Sequence, residues 1–121
     1  MSLDWTMPVA YDATRKRTFH ATGLARMRKL AGLLGLRPGT YDVRSNKGGI
    51  AVSGEVTLHG ESIYVQAAQS CGGPNTSILI RRCEGRRDYT GGPNNFAPIV
   101  LLDDLPTLAR VVSAVMNGRG R

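Results

Sequence analysis

Cysteine, aromatic residues and acidic residues are all scarce in this chain of 121 residues. It has two cysteines, nine acidic residues and an aromatic content of 6%. Cys71 and Cys83 form neither a CxxC pair nor a zinc-binding pattern, so their spacing favours a reducing, cytoplasmic location. With so few aromatic side chains, we expect a core built from Leu, Val, Ile and Ala.

Long apolar runs are also absent. No stretch approaches the roughly 18 apolar residues that a membrane-spanning helix needs, so we expect no membrane partner. The first eight residues place Asp4 where a secretory signal would be basic, and they contain no apolar run of sufficient length. We therefore expect no secretory signal.

Positive charge is the main excess in the composition. Sixteen basic and nine acidic residues give a formal net charge of +7. Residues 1–47 carry nine basic and three acidic groups, residues 48–80 carry two acidic groups and no basic group, and residues 81–121 carry seven basic and four acidic groups. Basic ends around a nearly neutral middle favour an anionic partner: nucleic acid, a nucleoprotein complex or an acidic protein surface.

The length fits a single domain over residues 1–121, with residues 1–13 as an irregular arm and residues 119–121 as a basic tail. Apolar residues at helical spacing predict a first helix that begins at Thr14 or, because early basic groups oppose the helix dipole, near Thr18, and ends at Gly35. Asp103 and Asp104 before Leu105-Pro106 predict a second helix, which Asn117-Gly118 ends.

Four strand candidates lie between the helices, namely residues 40–45, 50–59 and 63–68 and a strand that starts at Ile78. Alternation on both sides of Gly60-Glu61 predicts a hairpin that turns there and places Val56 opposite Val65. Residues 85–97 are rich in glycine and asparagine and are expected to form a loop. The predicted fold is α+β: an antiparallel four-stranded meander in the order α-β-β-β-β-α, with both helices on one face.

The same register predicts which side chains the other face of the sheet presents: Glu55, Thr57, His59, Tyr64, Gln66 and Arg81. They would form either a polar binding face or an ordinary solvated face. An RNA-stacking platform would need two or three aromatic side chains here, and only Tyr64 is present.

The sequence contains no recognisable catalytic or metal-binding motif. In the predicted register Cys71 lies about 30 Å from His59, far beyond the reach of a Cys/His dyad. We expect Cys71 and Cys83 to be structural thiols, and two histidines without nearby acidic or cysteine partners do not indicate a metal site. The two Gly-Gly turns match no phosphate-loop motif. We therefore predict no cofactor and no enzymatic activity.

An arginine-rich segment follows the fourth strand and is the strongest candidate for a contact surface. Arginine and exposed backbone N–H groups are common ligands of phosphates and carboxylates, although neighbouring acidic residues can instead form surface ion pairs with them. The predicted anion- or nucleic-acid-binding residues are Arg81, Arg82, Arg86, Arg87, Tyr89, Asn94 and Asn95. Residues 81–87 and the basic first-helix region are expected to form one electropositive surface that contacts phosphates.

Residues 45–59, 63–66 and 85–95 resemble a group of small uncharacterised proteins encoded on proteobacterial plasmids, phages and integrated elements. The resemblance covers about the central half of the chain. It implies an accessory role on mobile DNA, and it carries over no activity and no site residue.

The sequence therefore predicts a small basic, non-enzymatic module that binds nucleic acid or a nucleoprotein complex. The alternative is a protein-binding inhibitor of a host defence complex, similar in role to anti-CRISPR proteins, whose basic surface occupies an acidic or nucleic-acid-binding site. An enzyme with an unrecognised site is the third hypothesis.

Overall fold

The structure is a computed structural model that describes residues 3–69, 72–89 and 92–118. In chain order its main elements are α1 (Ala13–Leu33), β1 (Asp42–Asn46), β2 (Glu55–His59), β3 (Ile63–Ala67), β4 (Ile78–Arg82), β5 (Asn95–Ala97) and α2 (Leu105–Met116). Short 3₁₀ turns at Pro74–Thr76 and Ile99–Asp103 precede β4 and α2. The predicted α+β class, with helices flanking an antiparallel sheet, is confirmed.

The described strands form one antiparallel sheet in the order β1-β2-β3-β4-β5, so each strand pairs with the next along the chain. The meander is confirmed, but the predicted number of four strands is wrong. The fifth strand, β5, lies inside the segment expected to be a loop. It pairs Asn95 with Ile80 and Ala97 with Ile78. Three residues are too few to show an alternating pattern, and only pairing with β4 makes this segment a strand.

The predicted hairpin is present, but its register differs by two residues. Val56 lies opposite Ala67, and Val65 lies opposite Leu58. The turn spans Gly60 to Ile63, with the Gly60 N–H donating to the Ile63 carbonyl over 2.9 Å, so its centre is one residue later than predicted. Because side chains alternate with a period of two, this shift leaves every side chain on its predicted face.

The second strand is shorter than its sequence pattern predicts. Ile50 and Val52 lie outside β2 and are 73% and 50% exposed, although they continue its alternation. Gly54 explains the break, because its φ of +73° turns the chain and a Cβ there would lie 2.3 Å from the Asn46 carbonyl oxygen. The segment 47–54 is therefore a loop that folds back toward the start of α1.

One face of the sheet carries the core. The two helices pack on this face, α1 mainly against β1 and β2 and α2 against β3, β4 and β5. The strands bury a row of aliphatic side chains beneath the helices: Val56, Leu58, Ile63, Val65, Ala67, Ile78, Ile80 and Ala97. The core is mostly aliphatic, as expected.

The first helix starts earlier than either predicted position. Asp12 is its N-cap, and the Asp12 carboxylate accepts a hydrogen bond of 3.0 Å from the Arg15 N–H. The same carboxylate lies 3.5 Å from the Arg15 guanidinium. This negative charge offsets the basic first turn, so the helix does not need to start later.

The second helix matches its sequence signals. Asp104 caps α2, which runs to Met116, and Gly118 follows in the left-handed region at φ +76°. None of the described helices is long and apolar enough to cross a membrane.

Residues 3–12 have no regular structure, but they pack against the core. Trp5 is 1% exposed, and its ring meets the Phe19 ring edge to face at 5.6 Å. Gln69 holds the segment by donating to the carbonyls of Trp5 and Met7 and by accepting from the Val9 N–H. The described part of the arm is therefore an integral part of the fold.

Candidate nucleic-acid interface

On the sheet face away from the helices, His59 and Tyr64 form a cross-strand pair and are almost fully buried. Residues 83–89 fold across them. The His59 ring contacts the rings of Tyr64 and Tyr89 edge to face, each with centroids 5.0 Å apart. This face is therefore partly covered by the loop and is not a plain solvated surface.

Arg81 joins the sheet to this loop. Its guanidinium lies over the Tyr64 ring, 4.6 Å from the centroid, and donates to the Tyr89 carbonyl over 2.6 Å. Arg44 approaches from β1 and donates to the Tyr89 hydroxyl over 3.0 Å. Two of the predicted site residues, Arg81 and Tyr89, are thus brought together. The Arg81 guanidinium, however, already makes a cation–π contact with Tyr64 and a hydrogen bond to Tyr89 within the protein.

His59 is held as a neutral side chain. Its Nε2 lies 2.9 Å from the Gly85 carbonyl oxygen, which only accepts, so Nε2 carries the proton. Its Nδ1 is buried with no hydrogen-bond partner among the described residues. Burial is the main cause that lowers the pKa of His59 below its ordinary value. We attribute a structural role to this ring, which anchors the loop.

Arg86 fastens the loop to β1 and the residues just before it. It donates to both carboxylate oxygens of Asp42, over 2.8 and 3.2 Å, and to the carbonyls of Gly39 and Tyr41. Hydrogen bonds from Arg86, followed by the charges of Arg86 and Arg44, lower the pKa of Asp42. A guanidinium that already holds a carboxylate in two bonds has little capacity left for a phosphate.

The other predicted site residues are dispersed. Arg82 pairs with Ile63 on the helix-covered side of the sheet, near Gly118. Arg87 and Asn94 are exposed. Asn95 lies in β5, where its amide donates to the carbonyls of Ile80 and Pro93. The seven predicted residues therefore do not form one continuous patch.

The charges of this region also balance. The outer face and its loop carry four acidic residues, Asp42, Glu55, Glu84 and Asp88, and four arginines, Arg44, Arg81, Arg86 and Arg87. A surface with equal numbers of both signs exerts little net attraction on a polyanion. The arginine-rich segment thus looks cationic in sequence but is close to neutral in its structural surroundings.

The described residues offer little for catalysis. Cys83 is a buried free thiol whose Sγ contacts the Gly60 carbonyl, and burial raises its pKa, which makes the thiolate scarce. Cys71, the other half of the predicted pair of structural thiols, lies outside the described residues. Within residues 3–69, 72–89 and 92–118, no three His, Cys, Asp or Glu side chains are grouped to hold a metal ion.

The net positive charge is concentrated in α1. The helix contains six basic residues and no acidic residue, so the remaining residues of the chain carry a formal charge of only +1 out of +7. Arg15 and Arg26 are paired with Asp12 and Asp103, which lie outside the helix. Arg17, Arg28 and Lys29 are exposed and make no ion pair with any described residue. These three are the free cations of α1.

The solvent side of α1 has a regular pattern. Arg17 and Arg28 are three helical turns apart on one edge, and Arg15 and Arg26 are three turns apart on the other. Between the edges the helix carries the small side chains Thr18, Ala21, Thr22, Ala25 and Gly32, together with the long side chain of Lys29. The small side chains leave room for a bulky partner to approach the helix while the basic side chains reach it.

A separate cavity of about 400 Å³ lies where α1 begins, against the loop after β1. Its basic lining consists of Lys16, Arg17 and Lys47. Lys16 is only 8% exposed and donates to the Gly49 carbonyl over 2.6 Å. The first Gly-Gly turn of the sequence, at Gly48-Gly49, thus lines this cavity. In the second, Thr90 and Gly91 lie outside the described residues.

The sequence predicts one electropositive surface made of the arginine-rich segment and the basic first-helix region, but it does not single out the solvent side of α1. No acidic residue occurs between Asp12 and Asp42. The basic residues of α1 are spread over 15 positions in sequence, and all except the buried Lys16 lie on the solvent side when the helix forms. α1 and the loop after β4 lie on opposite sides of the sheet, so the basic residues of α1 and the arginine-rich segment belong to separate surfaces.

The sequence matches no protein-family model, and no curated protein or solved structure is significantly similar to it.

Proposed function

We propose that this protein is a small non-enzymatic module that binds nucleic acid through the solvent side of α1. The observation that carries the proposal is the concentration of charge: six of the seven net positive charges belong to one helix without a single carboxylate. Phosphate backbones attract such a surface regardless of base sequence. The free cations Arg17, Arg28 and Lys29 would make the contacts.

The geometry of α1 suits a phosphate backbone better than a small ligand. Arg17 and Arg28 lie about 16 Å apart along the helix at 1.5 Å per residue, so they would contact phosphates on different nucleotides. The small side chains between the arginine edges allow close approach. These contacts position the protein on its partner without reading bases, because phosphates are the same in every sequence.

Salt dependence tests this proposal most directly. Affinity for a nonspecific 20-base-pair duplex should be measured by fluorescence anisotropy at several salt concentrations. Wild type should show a steep linear fall of log affinity with log salt. Replacing both Arg17 and Arg28 by Ala should reduce the magnitude of that slope by about 1.8, or roughly 0.9 for each lost phosphate contact. Alanine is a strong helix former, so α1 should persist.

The matched control removes two arginines elsewhere. Arg37 and Arg110 are exposed and lie outside α1, so the double change to Ala alters the net charge by the same amount. It should leave the slope nearly unchanged. Equal effects of the two double variants would show that only overall charge matters and would reject α1 as the contact surface. Absence of binding by wild type at low salt would reject the proposed function.

A protein partner is the second candidate, and the outer sheet face is the observation in its favour. Phe96 and Tyr89 are 54% and 53% exposed on this face, and Arg44 donates to the Tyr89 hydroxyl. Exposed aromatic residues and arginine on a face of balanced charge are typical of the core of a protein interface. A pulldown with and without nuclease separates the candidates: partners retained after nuclease treatment favour this face, and partners lost favour α1.

A further inference from the structure

The cavity at the start of α1 is formed by two segments that are distant in sequence. Tyr11, Asp12, Ala13, Lys16 and Arg17 line one side, and residues 47–50 line the other. Two bonds join the sides, from the Tyr11 N–H to the Ile50 carbonyl over 2.8 Å and from Lys16 to the Gly49 carbonyl. The volume of about 400 Å³ lies within the usual range for small-ligand sites.

Lys16 is the unusual residue of this cavity. A lysine that is 8% exposed is normally paired with a carboxylate, because burying an unpaired ammonium is costly. Lys16 makes no ion pair with any described residue, and its ammonium donates to the neutral Gly49 carbonyl. An ammonium has three donors, so two remain for a further acceptor. A neutral glutamine could hold the loop carbonyl without the desolvation cost.

The charges that line the cavity also favour an anionic ligand. Lys16, Arg17 and Lys47 contribute three positive charges to the lining, and Asp12 contributes one negative charge, which leaves +2. Three cations around one cavity repel one another unless an anion lies between them. A phosphate monoester carries about −1.5 to −2 at neutral pH, whereas a phosphodiester carries −1. The lining therefore matches a monoester more closely than an internal phosphate of a strand.

His20 lies close enough to Lys16 and Lys47 for their charges to act on its ring. Both ring nitrogens are occupied, Nδ1 at 2.7 Å from the Ser45 hydroxyl and Nε2 at 2.8 Å from the Ser53 carbonyl oxygen. Burial is the first cause that lowers the pKa of His20, and the charges of Lys47 and Lys16 lower it further. The charges of Lys16 and Lys47 thus act on the same buried ring.

The rim of the cavity is apolar. Tyr11 and Ile50 are 72% and 73% exposed, the two most exposed large hydrophobic residues described. Tyr11 also has a φ of +64°, the sole positive value for a non-glycine among the described residues. An exposed tyrosine ring beside a phosphate site is a surface on which a nucleobase can stack.

We infer that this cavity binds a phosphate monoester that carries a base, namely a nucleoside monophosphate unit. Lys16, Arg17 and Lys47 hold the phosphate, and Tyr11 and Ile50 contact the base. The unit can be the phosphorylated 5′ end of a strand or a free nucleotide. The first source rests on the proposed function, because it makes the cavity an end-binding site next to the basic side of α1.

The test uses free and strand-borne phosphates with the full chain. AMP, adenosine and inorganic phosphate are titrated separately while the backbone amide NMR signals of residues 11–17 and 47–50 are followed. Affinities for a single-stranded decamer with a 5′-phosphate and for the same decamer with a 5′-hydroxyl are measured by anisotropy. AMP should shift the cavity signals with at least about fivefold higher affinity than adenosine or inorganic phosphate.

Two variants locate the site. Lys47→Ala, at an exposed position, should weaken AMP binding at least about fivefold, whereas Arg37→Ala, an equal loss of charge outside the cavity, should leave it unchanged. Lys16→Met keeps the volume of the side chain and should abolish AMP binding. If Lys16→Met fails to fold, Lys47→Ala alone decides.

The outcomes separate this inference from the proposed function. Tighter binding of the phosphorylated decamer, lost in Lys47→Ala, supports the strand end as the source. AMP binding with equal decamer affinities supports the free nucleotide. No AMP binding and equal decamer affinities, with the steep salt dependence intact, overturn the inference and leave the proposed function standing. AMP binding without any decamer binding supports the cavity and rejects the proposed function.

Discussion

At the scale of single residues, Arg86 and Arg87 show how surroundings decide a role. The two are adjacent and chemically identical, yet Arg86 fastens the loop to Asp42, and Arg87 is exposed. Sequence density of arginine indicated a contact surface without distinguishing the two. The contact role predicted for the arginine-rich segment stays a prediction, and Arg87 is its best-placed member.

Replacement of each arginine by Gln should separate these roles. Arg86→Gln should lower the midpoint of thermal unfolding, because it removes the ion pair with Asp42, whereas Arg87→Gln should leave it nearly unchanged. The pKa of Asp42 is lowered in the folded state, so the stabilisation is present above its ordinary pKa of about 3.9 and is lost as pH falls through the lower folded value. Unfolding midpoints of both variants between pH 7 and pH 3 check this. Equal midpoints at pH 7 would contradict it.

Gly54 is a residue at which only glycine fits. Gly54→Ala should lower the free energy of unfolding by about 2 kcal/mol or more, because φ is +73° and the new Cβ would lie 2.3 Å from the Asn46 carbonyl oxygen. Gly49→Ala is the matched control from the same loop, since a Cβ there meets nothing within 4 Å. Denaturant unfolding measures both. Similar losses in the two variants would show that Gly54 is not the constrained position.

The two histidines should titrate below the ordinary histidine pKa of about 6.5. Burial is the largest cause of the lowered pKa of both His20 and His59, because it disfavours the protonated ring. As pH falls below 6.5 toward the folded-state values, the unfolded chain binds more protons and stability should decline. NMR titration of the ring protons of His20 and His59 measures the pKa values. A midpoint at or above 6.5 for either ring would contradict its described burial.

At the scale of elements, the β2–β3 hairpin and β5 show what alternation can and cannot predict. Alternation placed the side chains of β2 and β3 on the correct faces, because facing depends only on parity. It left the register uncertain by two residues, since shifts by an even number keep the same faces. It could not reveal β5, whose three residues become a strand only through pairing with β4.

The observed register has a direct spectroscopic signature. Cross-strand proton contacts should be seen between Leu58 and Val65 and between Val56 and Ala67. The directly opposed contact predicted between Val56 and Val65 should be weaker, because these residues are diagonal neighbours. Nuclear Overhauser spectra measure all three contacts. The strongest contact between Val56 and Val65 would restore the register predicted from sequence.

At the scale of the whole molecule, the N-terminal arm and the core are one structure. The arm lacks periodicity in sequence, and the backbone of residues 3–12 is irregular. The sequence pattern did not indicate that Trp5 would be buried against Phe19 or that Gln69, about 60 residues later, would hold the arm. Irregular backbone and tight packing are compatible whenever a side chain supplies the missing hydrogen bonds.

Gln69→Ala should loosen the arm. The change removes three hydrogen bonds, to Trp5, Met7 and Val9, and should cost about 1–3 kcal/mol because the freed groups are partly buried. The chain has one tryptophan, so its emission maximum reports on the arm directly and should move to longer wavelength. Thr6→Ala, on the exposed side of the same arm, is the control. An unchanged emission maximum in Gln69→Ala would show that the arm does not depend on this residue.

The sequence by itself determined the fold class, the meander, the faces of the strands and the end of each helix. These features depend on local periodicity, turn residues and capping groups, which act over a few residues. Asp104, for example, caps the start of α2, and Asn117-Gly118 follows its last residue, as their chemistry predicts.

Only the tertiary structure decided where the free positive charge lies. Pairing with Asp42 occupies Arg86, acidic neighbours balance the rest of its segment, and the packing of α1 on the other face of the sheet separates its basic residues from that segment. The cavity at Lys16 likewise exists only because the loop after β1 folds against the start of α1. Charge–charge contacts between distant segments depend on the packing of the whole chain, and no local pattern contains them.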